Sequence, residues 1–559
     1  MLERIERQIC AEDYARIHAL VMTSIEMQRE LCASHTTIAR LRRLFGLSSS
    51  EKTARVVGSA PSSRETDRSE PASDERTGSD PADASHATSP PSDSSSDSSS
   101  SEDAGLHAPD VGKRRKGHGR VPASAYERAA CTPIAHAELR LGQRCPQCGR
   151  GTLYRLAKPA CIVCIVGQPP LAAHSYACER LRCSGCGTLF TARAPAQAYG
   201  PKYDASAVSM LAILRYAIGV PLHRLEKLQA SLKTPLPAST QWEIVRDHAP
   251  ILEPVYAELR RQAASGAVLH NDDTSVRILA LMGMRREKLL AEGALERPDR
   301  TGLFTTGVVS LTKAGPIVLF RSGRAHAGEN LASLLEQRDC DLSPPIQMCD
   351  GLERNRPTPP HTVVPGCCLV HGRRHIVDAA EDFPTECRSI LEQIGQIFKV
   401  DADCHIQGKT DSERLAIHQQ HSAPLLAALK TRMQADFDEK RVEPNSGLGR
   451  AYRYLLERWS ELTLFLRVPG APLDNNICER ALKMAIRHRN NSLFYRSENG
   501  ARIGDLYMTL LYTAVLHHLS PLEYLEALLR HEREVAASPA AWLPWTFRAT
   551  LAARVDPVA

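Results

Sequence analysis

PGAPLDNNICERALKMAIRHRNNSLFYRSENGA, from Pro469 to Ala501, reads as a loop that runs into a helix. Pro472 closes the loop, and Asp474 stands where a carboxylate can accept the orphan amides of a first turn, as an N-cap. Ile477, Ala481 and Ala485 recur at helical spacing and face a core. Glu479, Lys483 and Arg487 follow at i, i+4 and i+8 and form one polar stripe. A carboxylate in line with two cations is what a phosphate-handling site with a metal ion requires. A surface helix with an ordinary Glu-to-Lys pair carries the same pattern, so the rest of the chain decides between them.

With 559 residues the chain is too long for one core, and roughly three or four modules are expected. The net charge of +6 permits nucleic-acid binding without requiring it. Met1 to Cys10 is charged and lacks the apolar region of a secretory leader, and no apolar run is long enough to span a membrane. Seventeen cysteines, an odd number, fit metal-bound or free thiols in a reducing cytoplasm better than disulfides.

Residues 1–46 read as helix, with Leu31, Ile38 and Phe45 at heptad spacing, a coiled-coil segment suited to assembly. Residues 47–118 are a Ser/Asp-rich linker expected to be disordered. It ends in a basic cluster, Lys113, Arg114, Arg115 and Lys116, that can tether DNA backbone or stand as a solvated charge run. Residues 119–196 hold two Cys-x-x-Cys-Gly knuckles, Cys145/Cys148 and Cys183/Cys186, together a four-sulfur zinc site of ribbon type. Cys161 and Cys164 form a competing pair in an apolar run; they and Cys178 read as core. Residues 197–262 are helical, a DNA-binding or packing layer whose third helix Ser239 caps.

Residues 263–510 change period. Val268–His270, Leu303–Leu311, Pro316–Phe320, Ile346–Cys349 and Cys367–Val370 read as strands, with a helix at Glu329–Glu336. This is a mixed α/β catalytic domain with a helical insertion at about 376–468, followed by a helical tail over 511–559 that is loosely packed from Ala536. Two strands run into acids, Asp272 and Asp350. With Glu479 they offer hard oxygen ligands that suit Mg²⁺ or Mn²⁺, and such ions support in-line phosphoryl transfer. Arg373, Arg374, Arg480, Lys483 and Arg487 would hold DNA phosphates nearby. Each acid alone also reads as a turn or surface residue.

Several stretches resemble transposases of the insertion sequence 66 family. HNDDTSVRIL is similar to the first-aspartate motif, MCDG to the second, CCLVHGRRH to a Cys-x-x-His-x-Arg-Arg motif and PLDNNICERALK to an Asp-Asn-Asn-x-x-Glu-Arg motif. FGLSSSEKT, HGRVPASAY and YDASAVSMLAILRYAIGVPLHRLEKLQ match in order. The resemblance implies an RNase H-like domain of the DDE class with Asp272, Asp350 and Glu479 as metal ligands. It also implies binding to terminal inverted repeats, strand cleavage and transfer into target DNA, assembly as a homo-oligomer, and accessory proteins from the same element. Asp273 stands where the family has Glu, so Asp272 and Asp273 compete as first ligand. A catalytically silent, zinc-containing DNA-binding protein, a decayed transposase, is the alternative.

Overall fold

The computed structural model describes residues 132–156, 165, 168–184, 186, 188–295, 298–358 and 361–553. The coiled-coil segment 1–46, the linker with its basic cluster, and Cys161 and Cys164 lie outside them. The described residues fall into two compact units divided between Gln168 and Pro169. The first is turn-rich, with an antiparallel bridge between Arg144 and Thr152 around the Cys145–Cys148 turn.

The second unit opens with an antiparallel hairpin, β1 (Arg180–Arg182) and β2 (Leu189–Thr191). Three helices follow: α1 (Ala205–Ala212), α2 (Leu222–Ser231) and α3 (Ala238–Ala263). Asp204 caps α1 by accepting from the Ala207 amide at 2.9 Å. Ser239 does not cap α3; Pro237 holds that position, and Ser239 lies inside the helix. Leu211, Leu225, Ile244, Leu252 and Leu259 are buried in one core with the sheet and the later helices, so one face of this region packs on them.

The sheet has five strands in the order β5-β4-β3-β6-β7. Along the chain come β3 (Val268–Ser275), helix α4 (Gly283–Ala291), β4 (Phe304–Thr312), β5 (Gly315–Gly323), helix α5 (Ala327–Leu335), β6 (Ile346–Cys349) and β7 (Val364–Cys367). β3, β4 and β5 pair antiparallel, whereas β6 and β7 join β3 in parallel. β3 does not stop at His270. β4 pairs with it from Val268↔Leu311 to Ser275↔Phe304, which carries the polar residues Asn271 to Ser275 along as strand. The apolar run Cys367–Val370 is not one strand. Its partner β6 ends at Cys349, opposite Cys367, so the chain leaves the sheet there and turns into α6 (Leu369–Ala379).

α6 begins a helical insertion that continues as α7 (Pro384–Ile406), α8 (Asp411–Asp438) and α9 (Gly447–Glu457). These helices share a second core with Val268, Ile346 and Cys367 at the parallel side of the sheet. α10 (Asn476–Ser492), α11 (Glu498–Leu516) and α12 (Pro521–Arg530) return to the first core. The tail after Ala536 is well packed: Trp542, Leu543 and Phe547 are buried, and the Tyr524 hydroxyl donates to the Trp542 carbonyl at 2.8 Å. Cys178 is half-buried rather than core. Among the described residues no helix is long and apolar enough to cross a membrane.

α11 covers the edge strand β5. Asp505, Thr509 and Thr513, four residues apart on one helix face, accept from the backbone amides of Ser322, Phe320 and Val318 at 2.6, 3.0 and 3.2 Å. Alternate amides of an edge that would otherwise seek another strand are thereby satisfied. Burial pushes the Asp505 carboxyl up to about 7, even though Ser322 donates to it twice. A proton held more tightly in the folded state stabilises below the unfolded carboxyl pKa, and that stability is lost as pH rises through the folded value. Stability therefore falls between about pH 4 and 7, by on the order of 4 kcal/mol from this group. Asp505→Asn removes that slope while keeping an acceptor for the Ser322 amide. Chemical denaturation at pH 5 and 7.5 checks it; an unchanged slope contradicts the assignment.

Candidate active site

The centre of the sheet gathers acids because β3 and β6 run parallel and side by side, bringing the residues after His270 and Cys349 to the same end. Asp272 lies within β3, and Asp350 follows the last residue of β6. A third residue joins them. The Asn355 side-chain amide donates to Asp350 Oδ1 at 2.8 Å and to Asp272 Oδ1 at 3.3 Å. Asn355 is fully buried, and its carbonyl accepts from Asn271 and Gln347 at 2.6 Å each. Gln347 also donates to Asn271 Oδ1 at 2.8 Å, so a closed amide network stands behind the two carboxylates. Burial, then the charge of Asp350, pushes the Asp272 carboxyl up to about 7, with lesser contributions from Asp273 and Glu479.

Neighbouring residues of a strand point to opposite faces, and the two rivals for the first position separate accordingly. Asp273 is nearly buried; its Oδ2 meets His326 Nδ1 at 3.0 Å and its Oδ1 lies 3.9 Å from Arg354. Asp272, not Asp273, shares Asn355 with Asp350.

Glu479 comes from the first turn of α10. Ala481 and Ala485 are buried and Ile477 packs on the core, as the helical spacing predicts. The capping expectation fails: Asn475 holds the cap position, and Asp474 accepts from the Asn476 amide at 3.0 Å. Asn475 is turned inward instead. Its side chain bonds His270 Nδ1 at 3.1 Å and the Asn271 carbonyl at 3.2 Å, and its amide donates to Cys368 Sγ at 3.2 Å. It thus ties the start of α10 to β3 and to the start of α6. Arg489 fastens the other end, donating to Thr274 Oγ1 at 2.9 Å and to the Ser275 carbonyl at 2.6 Å.

Glycine makes this approach possible. Gly307 faces Asp272 across the β3–β4 ladder, and a Cβ there would lie 3.0 Å from Leu482 of α10. Gly307→Val pushes α10, and Glu479 with it, away from β3. Overpacking of this kind costs about 1–3 kcal/mol. Thermal unfolding checks this; a variant as stable as the wild type contradicts it.

Glu479 Oε1 is buried without a hydrogen-bond partner, as are Asn355 Oδ1 and His371 Nδ1. It forms a group of ligand type with Cys368 and His371: one ligand atom from each of the three residues falls within 4.8 Å of the others. His371 Nε2 is 3.7 Å from Glu479 Oε1. Burial pushes the Cys368 thiol up to about 12, and its sulfur accepts from the Asn475 backbone amide. The charge of Glu479 adds a small upward push on Asp272, but one ligand atom each from Asp272, Asp350 and Glu479 do not all fall within 4.8 Å of one another.

Of the predicted cations, Arg480 and Lys483 are exposed on α10, Arg373 is half-buried and Arg374 exposed on α6. Arg487 is exposed but donates to the Ala217 carbonyl at 3.0 Å, closing the π-turn after α1. Asn355, Asn475, His371 and Arg489 were not singled out as site residues from sequence. Asn475 stands inside PLDNNICERALK and His371 inside CCLVHGRRH, which is a usable signal; Arg489 lies within Pro469–Ala501 without a spacing that marks it, and Asn355 lies in no such stretch.

The cysteine knuckles fall in different units. In one, the Gly149 amide donates to the Cys145 carbonyl at 2.8 Å, with Gly149 at φ +67°, the left-handed turn that glycine favours. Amides of Gly151 and Arg150 hold the Cys148 thiol below its ordinary value. In the other, Thr188 bonds Cys186 Sγ at 3.0 Å and lowers that thiol to about 7. The Cys186 amide points at Cys183 Sγ, 3.5 Å away.

The model of the family described as "Transposase IS66 family" matches residues 201–503, which include Asp272, Asp350 and Glu479. Two uncharacterized proteins of Sinorhizobium fredii are similar to parts of the chain. Protein y4jD is 30% identical over 189 residues, 33% of this chain and 36% of the relative. Protein y4qI is 31% identical over 145 residues, 26% of each. The matched stretches thus span about a third or less of these relatives. With the family model covering more than half of the sequence, the chain belongs to the IS66 family of transposases.

Proposed function

We propose that this transposase cuts DNA at the ends of its insertion sequence and joins the freed strand to target DNA, by the chemistry of the DDE class in an RNase H-like domain. The observation that carries the reading is the Asn355 amide bridging Asp272 and Asp350, a device that holds two carboxylates together on the same side. Asp272, Asp350 and Glu479 offer hard oxygens of the kind Mg²⁺ or Mn²⁺ takes, with Glu479 Oε1 buried and unpartnered. Such an ion, when bound, supplies charge neutralisation and activation of a water or 3′-hydroxyl. Asp272, Asp350 and Glu479 would be its ligands. The amide network of Asn271, Gln347 and Asn355 holds the two aspartates, and Asn475 ties the start of α10, which carries Glu479, to β3.

Arg373, Arg374, Arg480, Lys483 and Arg487, with the basic cluster Lys113–Lys116, would hold the strand by its phosphates. Cys145 with Cys148, and Cys183 with Cys186, are proposed as zinc ligands, a reading supported by the lowered Cys148 and Cys186 thiols. The protein would act in the cytoplasm on the nucleoid, as a homo-oligomer with accessory proteins of its element.

The test is cleavage and joining of a DNA fragment bearing the element's own ends, with accessory proteins supplied. Nicked and joined products that appear with Mg²⁺ and vanish with chelator are expected. Binding without either product under these conditions sinks the proposal in favour of a silent DNA-binding protein.

A further inference from the structure

Helices α6 and α9 leave a surface cavity of about 290 Å³ lined by His375, Arg450, Arg453, Tyr454, Glu457 and Arg458. Three guanidinium groups face one carboxylate. Glu457 lies 3.5 Å from Arg458, which leaves the charges of Arg450 and Arg453 to be met. These two are anchored by backbone carbonyls rather than acids, Arg450 to Asn445 at 2.5 Å and Arg453 to Pro444 at 3.3 Å. A carbonyl uses one of the five guanidinium donors and does not cancel the charge.

The cavity is fixed to the second aspartate. The Tyr454 hydroxyl donates to the Asp350 backbone carbonyl at 2.9 Å, and Arg458 Nε donates to the Gly351 carbonyl at 3.5 Å. Gly351, at φ +81°, makes room: a Cβ there would lie 3.1 Å from Arg458 Cδ and 2.8 Å from Cys367 Sγ. One wall of the cavity is therefore the far side of the turn that presents Asp350. The Tyr454 ring is already packed by His375, at 4.1 Å between centroids, and by Arg458, whose Cζ is 4.5 Å from the ring centroid. A ring so occupied is a poor stacking platform for a base. The charges remain as the recognising feature, and they suit phosphate.

We propose that this cavity is a strand-gripping subsite, in which Arg450 and Arg453 bind phosphodiester groups of DNA as it enters or leaves the Asp350 side of the acidic cluster. The inference rests on the reading of that cluster as the DNA-cutting centre, and it adds a contact from the helical insertion. Arg450 and Arg453 lie one turn apart on the exposed face of α9, which places their charges along one line as successive phosphates of a strand require.

The experiment measures binding of the full chain to a short fluorescent duplex of arbitrary sequence, by anisotropy across a range of KCl. Arg450→Gln/Arg453→Gln is compared with Arg530→Gln/Arg533→Gln, which changes the net charge equally at residues that do not line the cavity. The cavity variant is expected to flatten the dependence of log affinity on log salt by about two phosphates' worth, roughly 0.9 each. It should also weaken binding by about 10- to 100-fold, while the control stays near wild type. The charge-keeping pair Arg450→Lys/Arg453→Lys restores most of the slope, which excludes a folding defect as the cause. A cavity variant that binds like the control, or a Lys pair that fails to restore the slope, overturns the subsite. If the wild type binds DNA but the cavity variant matches it, this subsite alone falls. If the wild type shows no salt-dependent binding, the proposed function falls and the subsite with it.

Discussion

Glu479→Gln lowers metal-dependent cleavage by on the order of 10³-fold and leaves DNA binding and zinc content unchanged. Glutamine keeps the shape of the side chain at the start of α10 but removes the charge that would hold a hard cation. A metal ion contributes several kcal/mol to stabilising the charge of an in-line displacement. Loss of about 4 kcal/mol of that is about three factors of ten. The fold does not depend on this charge. Glu479 is partly exposed, and α10 is held by Ala481, Ala485, Asn475 and Arg489. Cleavage of end-bearing DNA, anisotropy with the same DNA and a zinc assay read the three quantities separately. A variant that cuts as well as the wild type removes Glu479 from the site and leaves α10 a basic helix.

Asn355→Ala lowers cleavage by about 100-fold and costs about 1.5–3 kcal/mol of stability. The mutation removes the donor that, among the described residues, Asp272 and Asp350 share. Hydrogen bonds to charged groups are worth about 1.5–3 kcal/mol, and loss of the bridge frees two like charges to separate. Misplacement of about 1 Å costs catalysis about 100-fold. The Asn355 backbone carbonyl still accepts from Asn271 and Gln347, so the loop stays in place and the effect is confined to the carboxylates. Asn355→Asp separates geometry from charge, because it keeps the size but adds a third anion; it raises the Asp272 carboxyl further. Cleavage kinetics with a parallel thermal melt test both. Wild-type cleavage by Asn355→Ala would show that the bridge is incidental.

Much of this protein was written in local pattern. The periodicity of Leu303–Leu311, Pro316–Phe320 and Ile346–Cys349 located β4, β5 and β6 to within a few residues, because buried strands are apolar over their whole length. The spacing of Ile477, Ala481 and Ala485 placed α10, and the order of motifs named the family. What failed depended on a partner distant in sequence. β3 runs on through polar residues because β4 pairs with it there, and Cys367–Val370 is split because β6 ends at Cys349. Asp474 loses the cap position because Asn475 is drawn inward by His270 and Asn271, more than 200 residues away in the chain.

The sequence by itself determined the acids and the elements that carry them, since residue type and spacing are local properties. Tertiary structure alone decided which acid faces which. Asp272 and Asp273 are adjacent and chemically alike, and only the pleat of β3 sends one to Asn355 and Asp350 and the other to His326 and Arg354. It also decided that Asn355 bridges them and that Arg450 and Arg453 line a cavity beside Asp350. The physical reason is common to all three: a side chain's role there is set by a neighbour that folding supplies, and no periodicity encodes such a neighbour.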